Sequence, residues 1–223
     1  MKRTIKSFVL RAGRTSNRQQ QGLEQWLPAY ELPLDGDMWD WQTLFNREAE
    51  TVVEIGFGMG ASLLTMALRH PEINFVGIEV HRAGLGSLAA DLHEQGVSNV
   101  RLVALDAVEI FKTRIAEASL SGIQIFFPDP WPKKRHQKRR LIQPAFVSLL
   151  AAKLKKGGFL HCATDWQDYA DHMLAVLDNE PKLVNQQAEG GFSPRPETRP
   201  LTKFEQRGQR LGHGVWDLIY LKK

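Results

Sequence analysis

Residues 54–60 read Glu54-Ile55-Gly56-Phe57-Gly58-Met59-Gly60, and the segments on either side of them decide the fold. Upstream, Thr51-Val52-Val53 runs into Glu54-Ile55 with the β-branched composition of a strand, and downstream Ala61 to Arg69 has the pattern of a helix. Glycines between strand and helix permit a tight turn and let the backbone approach a ligand closely. This unit opens a series. Further strand-like runs are Asn74–Ile78, Val100–Ala104, Ile123–Phe127 and Gly158–Thr164, with Val215–Leu221 closing the chain. Between them lie apolar stripes at helical spacing, Leu85/Leu88/Ala89/Leu92, Val108/Phe111/Ile115 and Trp166/Tyr169/Ala170/Met173/Leu177. Pro71 and Gly96 punctuate helix ends. Apolar strands separated by helices imply an α/β architecture, a doubly wound, mostly parallel sheet with helices on both faces.

In such sheets ligands bind beyond the carboxyl ends of the strands. The glycine loop alone does not identify the ligand, because Gly56-x-Gly58-x-x-Ala61 also satisfies the dinucleotide pattern. Glu79 closes the second strand, where an acid binds a ribose diol, and that serves both NAD and S-adenosylmethionine. Two features favour the methyl donor. Glu54 stands just before the glycines, where a carboxylate suits an ammonium and a sulfonium and repels a pyrophosphate. Asp106 closes the third strand, where it could accept from an adenine amino group. The plain alternatives are that Glu79 caps and that Asp106 is the N-cap of the helix from Ala107.

The chain has 223 residues, enough for one large domain with trimmings, read as a basic N-terminal arm and leader (1–50) and a domain over 51–223. The single cysteine, Cys162, excludes an intramolecular disulfide and a cysteine-cluster zinc site, and its apolar neighbours make it a small buried hydrophobe. The seven histidines show no metal-ligand spacing, so no metal is expected. No stretch has the ~18 apolar residues of a transmembrane helix. A cytoplasmic monomer without membrane contact or obligate protein partner is expected, although the basic N-terminus, with Ile5, Phe8, Val9 and Ala12 at helical spacing, leaves an organellar presequence open. Net charge is only +4, but it is concentrated. Lys133 to Arg140 reads Lys-Lys-Arg-His-Gln-Lys-Arg-Arg, and Met1 to Arg18 carries Lys2, Arg3, Lys6, Arg11, Arg14 and Arg18, leaving the remainder acidic. Basic surface on an acidic body points to a polyanionic partner, nucleic acid before all others.

Phe126-Phe127-Pro128-Asp129-Pro130-Trp131-Pro132 ends the fourth strand. The prolines stiffen the chain and hold Asp129 and Trp131 at the edge of the sheet. A carboxylate to accept from base N–H groups, a ring to stack and a basic run to hold phosphates are what a base-binding pocket requires. The competing reading is a rigid loop with a buried tryptophan.

From Ser7 to the C-terminus the chain resembles the bacterial tRNA (guanine-N7)-methyltransferase family, a class I S-adenosylmethionine-dependent methyltransferase with a Rossmann-like fold. The most specific element is Pro128-Asp129-Pro130-Trp131-Pro132-Lys133-Lys134-Arg135-His136 with Lys138-Arg139-Arg140. Others are the Glu54–Gly60 loop, Gly13-Arg14-x-Ser16-x-x-Gln19, and Arg199-Pro200-Leu201-Thr202-Lys203-Phe204-Glu205 with Arg207-Gly208. The resemblance implies methylation of guanine N7 in tRNA at the variable-loop position 46, with S-adenosyl-L-methionine as donor. It implies donor-binding roles for Glu54, Gly56, Gly58, Gly60, Glu79, Asp106 and Asp129, the last also the active-site residue. It implies substrate contacts by Trp131, Lys133, Asp165, Thr202, Lys203, Phe204 and Glu205, and RNA contacts by Arg135, His136, Gln137, Lys138, Arg139 and Arg140. About five phosphate contacts from that run would give a log–log salt slope near −4. The rivals are an amino-group RNA or DNA methyltransferase, whose loop normally reads Asp/Asn-Pro-Pro-aromatic, and a non-catalytic RNA-binding module.

Overall fold

The computed structural model describes residues 6–8, 15–201, 205 and 214–223. Strands β1 (Thr51–Ile55), β2 (Asn74–Ile78), β3 (Val100–Val103), β4 (Leu120–Phe126), β5 (Leu154–Thr164), β6 (Leu183–Asn185) and β7 (Trp216–Lys222) form one sheet in the order β3-β2-β1-β4-β5-β7-β6. The first five are parallel, and β7 runs antiparallel to both β5 and β6. Helices α3 (Ala61–Arg69), α4 (Arg82–Glu94), α5 (Ala107–Thr113), α6 (Pro144–Lys153) and α7 (Gln167–Asp178) connect them.

Alternation along the buried strands sends neighbouring residues into two cores. Val53, Ile55, Val76, Ile123 and Ile125 join Ile110, Phe111, Leu150 and Met173 on one face. Val52, Phe75, Val100 and Leu102 join Leu63, Met66, Leu85 and Leu88 on the other. The doubly wound sheet expected from the sequence is thus observed, with a switch point where β1 lies between β2 and β4.

Differences from the sequence reading sit where periodicity is short. The three residues of β6 give no readable period, and its pairing with β7 alone defines it. β5 starts earlier, at Leu154, because Leu154 pairs with Leu120 across a register shift before the regular ladder. Ile115 lies beyond the end of α5, yet is buried. Trp166 does not belong to the apolar face of α7: it is the residue before the helix and is 43% exposed.

The leader is more structured than its loop-rich composition implied. It holds α1 (Asn17–Gln21), a π-helical turn (Gly22–Trp26), a 3₁₀ turn (Leu27–Ala29) and α2 (Trp41–Phe45). Ser16 and Gln19 close a reciprocal capping box, which gives a physical reason for that pair in the arm motif. Glycines let this segment press against α4: a Cβ on Gly86 would stand 2.1 Å from the Gln19 carbonyl oxygen, and one on Gly22 1.9 Å from that of Gly86. Glu31 then bridges to Leu102, covering the exposed edge of β3, while Leu32, Trp39 and Phe45 enter the core. Residues 15–50 are therefore part of the same packed body as the domain they precede. Arg18 belongs to this packing too, bonded to Asp91 and Glu94 of α4, so that cation does not project toward a partner.

Candidate active site

A cavity of about 300 Å³ opens at the switch point. It is lined by the residues that end β1 (Ile55, Gly56, Gly58), β2 (Ile78, Glu79), β3 (Asp106) and β4 (Phe127, Pro128, Asp129). Gly56, Gly58 and Gly60 all have positive φ, 76°, 60° and 84°. A Cβ on Gly56 or Gly58 would meet nothing within 4 Å, so these residues leave an open cradle of backbone, whereas Gly60 is wedged against Leu88. α4 supports the loop closely: a Cβ on Gly84 would lie 2.0 Å from the Gly58 carbonyl oxygen.

The acids divide by environment. Glu54, on the same side of β1 as Val52, is 2% exposed, and its Oε2 has no hydrogen-bond partner. Burial raises its carboxyl to about 8, with a further push from the Glu79 carboxylate. Glu79 accepts from three backbone amides, those of Gly58 (2.9 Å), Val80 (2.7 Å) and His81 (3.0 Å). Asp106 caps α5, its Oδ1 accepting from Val108 at 3.0 Å. The capping alternative is therefore realised for Asp106, whereas α4 starts after His81 without a side-chain cap and Glu79 bonds amides ahead of it; both side chains still line the cavity. An orphaned buried carboxylate oxygen beside an open glycine cradle fits a cationic ligand. The residues present thus suit S-adenosylmethionine: Glu79 and Asp106 stand in the cavity wall, and Glu54, outside that lining, is buried just before the cradle.

Beyond β4 the chain turns sharply. Phe127 and Trp131 both occupy the left-handed region, at φ 52° and 44°, and flank Asp129. Trp131 is not a bare platform: its Nε1 donates to the Ser7 carbonyl at 2.9 Å. The Arg139 guanidinium covers its ring at 4.0 Å from the centroid, and His136 meets its edge. Arg139 also donates to the carbonyls of Lys6 and Phe8, each at 3.0 Å. Ser7 and Phe8 thereby become part of the cavity wall, a role their sequence did not signal.

The basic run forms a 3₁₀ turn, Lys134–Arg139. Lys133, Lys134, Arg135 and Lys138 are exposed. Arg140 is not: it is 3% exposed, donates to the Pro130 carbonyl and to Asp168, and stacks on Tyr169. Its buried guanidinium is taken up by the Pro130 carbonyl, Asp168 and the Tyr169 ring, an anchoring arrangement that argues against the RNA contact expected of it. Gln137 donates to Asp168 at 3.3 Å, tying the same turn to α7. The His136 imidazole is held below its usual pKa, by desolvation first and then by Arg135, Lys133, Arg139 and Lys138.

Asp165 follows β5, partly exposed. Thr202, Lys203 and Phe204 lie outside the described residues. Glu205 is 2% exposed and takes a two-pronged pair from Arg199, at 2.6 and 2.8 Å. Arg199 in turn binds Asp217, which also meets His161 Nε2 at 2.7 Å, and lies 5.9 and 5.6 Å from the ring centroids of Phe126 and Phe127. Sequence reasoning placed Arg199 in a motif without a role and passed over Asp217 and His161; a charged residue alternating with Trp216 and Leu218 in the closing strand was the available signal. Cys162 is buried as expected, its thiol pushed up to about 12 by burial and by Asp217.

A family model described as "Putative methyltransferase" matches residues 48–218. The chain is 63% identical over 225 residues to the tRNA (guanine-N(7)-)-methyltransferase of Legionella pneumophila (strain Corby), with 100% of both chains covered. It is 53% identical over 221 residues to the protein of that name from Burkholderia cenocepacia (strain HI2424), covering 99% of this chain and 86% of that one. Among solved structures, the 16S rRNA methyltransferase KamB matches with TM-score 0.60 at 14% identity, covering 84% of this chain and 96% of that one. The 16S rRNA (adenine(1408)-N(1))-methyltransferase from Catenulisporales acidiphilia gives 0.56 at 15% identity, covering 87% and 97%. These two likenesses establish the fold. The full-length relatives go further, and the chain belongs to the tRNA (guanine-N(7)-)-methyltransferase family.

Proposed function

We propose that the protein methylates N7 of a guanine in tRNA, the variable-loop guanine at position 46, with S-adenosyl-L-methionine as donor. The carrying observation is the placement of Asp129 in the wall of the switch-point cavity, five residues before an exposed cationic turn. The donor supplies an electrophilic methyl group. Guanine N7 presents a lone pair and no proton, so its attack forms the N–C bond while the sulfonium keeps the electrons of the C–S bond, and no general base is needed. Catalysis is then positioning and electrostatics. Glu54 balances the positive end of the donor, Glu79 and Asp106 hold its ribose and adenine, and Asp129 grips the guanine edge or stabilises the cation formed there. The left-handed turns at Phe127 and Trp131 hold Asp129 in place.

Lys133, Lys134, Arg135 and Lys138 supply phosphate affinity, and Asp165 with residues 202–204 contacts the substrate. We take the enzyme to act as a monomer in the cytoplasm, where its tRNA substrate is; no helix among the described residues is long and apolar enough to cross a membrane. Incubation with unmodified tRNA transcript and S-adenosylmethionine, followed by nucleoside mass spectrometry and mapping, tests the reading. N7-methylguanosine at position 46 is expected; a methylated adenosine or cytidine would move the reaction to amine chemistry.

A further inference from the structure

Six tryptophans stand in this chain, and five have their rings engaged. Trp26 stacks on His93, Trp39 and Trp41 pack together, Trp216 tilts against Phe192, and Trp131 lies under Arg139. Trp166 is the exception. Among the described residues nothing stacks on its ring or bonds its indole nitrogen, and it is 43% exposed. Its backbone, by contrast, is fixed: the amide donates to Thr164 Oγ1 at 3.3 Å, and the carbonyl accepts from Tyr169 and Ala170 at 2.9 Å each.

Its place in the sheet is specific. Phe126 pairs with Ala163, so Trp166 and Asp129 stand the same number of residues past one paired position of β5 and β4. Neighbouring strands are about 4.8 Å apart. The donor cavity is lined from β1 to β4, which leaves the β5 side of Asp129 for the substrate. Two residues on, Asp168 holds both Arg140 and Gln137, so the helix that Trp166 starts is tied to the cationic turn. An uncovered indole on a fixed backbone, at the start of a helix tied to a cationic turn, is the combination that suits an unstacked nucleobase.

We infer that Trp166, rather than Trp131, is the stacking platform for a nucleobase of the bound tRNA, on the β5 side of Asp129. This rests on the tRNA reading above. Trp166→Ala should raise the KM for tRNA about tenfold, the lower-middle range for loss of one stacked base. Donor affinity by calorimetry and the melting temperature should stay at wild-type values, and Trp166→Phe should restore most of the loss. Titration with tRNA should quench wild-type tryptophan fluorescence and Trp131→Phe fluorescence alike, with most of the quench missing in Trp166→Phe. An unchanged KM in Trp166→Ala, or a loss shared equally with donor affinity and folding, overturns the assignment. The quench is read without turnover, so wild-type protein that makes no N7-methylguanosine would sink the functional reading and still leave Trp166 tested.

Discussion

Arg199 and Glu205 form a two-pronged ion pair, and both side chains are only 1% exposed. A charge pair taken wholly out of water is stable only while complete, because removing one partner strands the other in a low dielectric. Here Arg199 also bonds Asp217, so its removal takes a cationic partner from two buried acids at once. Arg199→Met should therefore cost about 3–5 kcal/mol in chemical denaturation. Arg199→Lys should recover only part of this, because an ammonium cannot reproduce the fork that meets both carboxylates. Loss below about 1 kcal/mol would show that the network is not assembled in solution.

The buried Glu54 carboxyl gives a pH signature. Burial, and then Glu79, raise it to about 8 from 4.5. Between those values the folded chain keeps a proton that the unfolded chain has released, so stability is full below 4.5 and declines as pH rises toward 8. Glu54→Gln should flatten that decline in thermal unfolding. A cationic donor favours the ionised form, so binding at pH 7 should expel up to about one proton. Calorimetry in buffers of different ionisation enthalpy reads this directly. Equal proton release in Glu54→Gln would place the titrating group elsewhere.

The basic segment splits into two classes that salt can separate. Lys133, Lys134, Arg135 and Lys138 are exposed, whereas Arg139 and Arg140 are held by protein groups. Four contacts lower the expected log–log salt slope from this segment to about −3, from the −4 expected for about five. Arg135→Ala and Lys138→Ala should each reduce the slope by about 0.8. Arg140→Ala should leave the slope alone and lower the melting temperature. A slope change in Arg140→Ala matching the other two would put its guanidinium back on the RNA.

The parallel sheet was legible because β1 to β5 are buried on both faces, which writes continuous apolar runs into the sequence. The glycine loop and the strand-end acids were legible for the same reason: ligand positions follow from strand ends once the sheet is known. What escaped was long-range and polar. Arg199, Asp217 and His161 come from a loop and two antiparallel strands, and no spacing along the chain brings them together. Arg140 looked like its neighbours because charge does not reveal burial; Asp168, which claims it, lies on another helix. Trp166 sat at helical spacing with Tyr169 and Met173, so periodicity assigned it to the core. Only the start of α7 one residue later turns its side chain outward.

Asp129 offers the sharpest test of the chemistry. It lines the cavity between two left-handed residues and follows the strand next to the donor loop. If its negative charge stabilises the positive N7-methylguanine that develops during transfer, Asp129→Asn keeps the shape but removes the charge. Losing one preorganised electrostatic contact of this kind costs about 10²–10³ in kcat. Single-turnover methylation of tRNA should fall by that much, while calorimetry still detects the donor and gel shifts still detect tRNA. If the carboxylate instead grips the base edge, the variant's defect should lie in KM for tRNA, because an amide places a donor where an acceptor is needed. Near-wild-type turnover would remove Asp129 from the active site altogether.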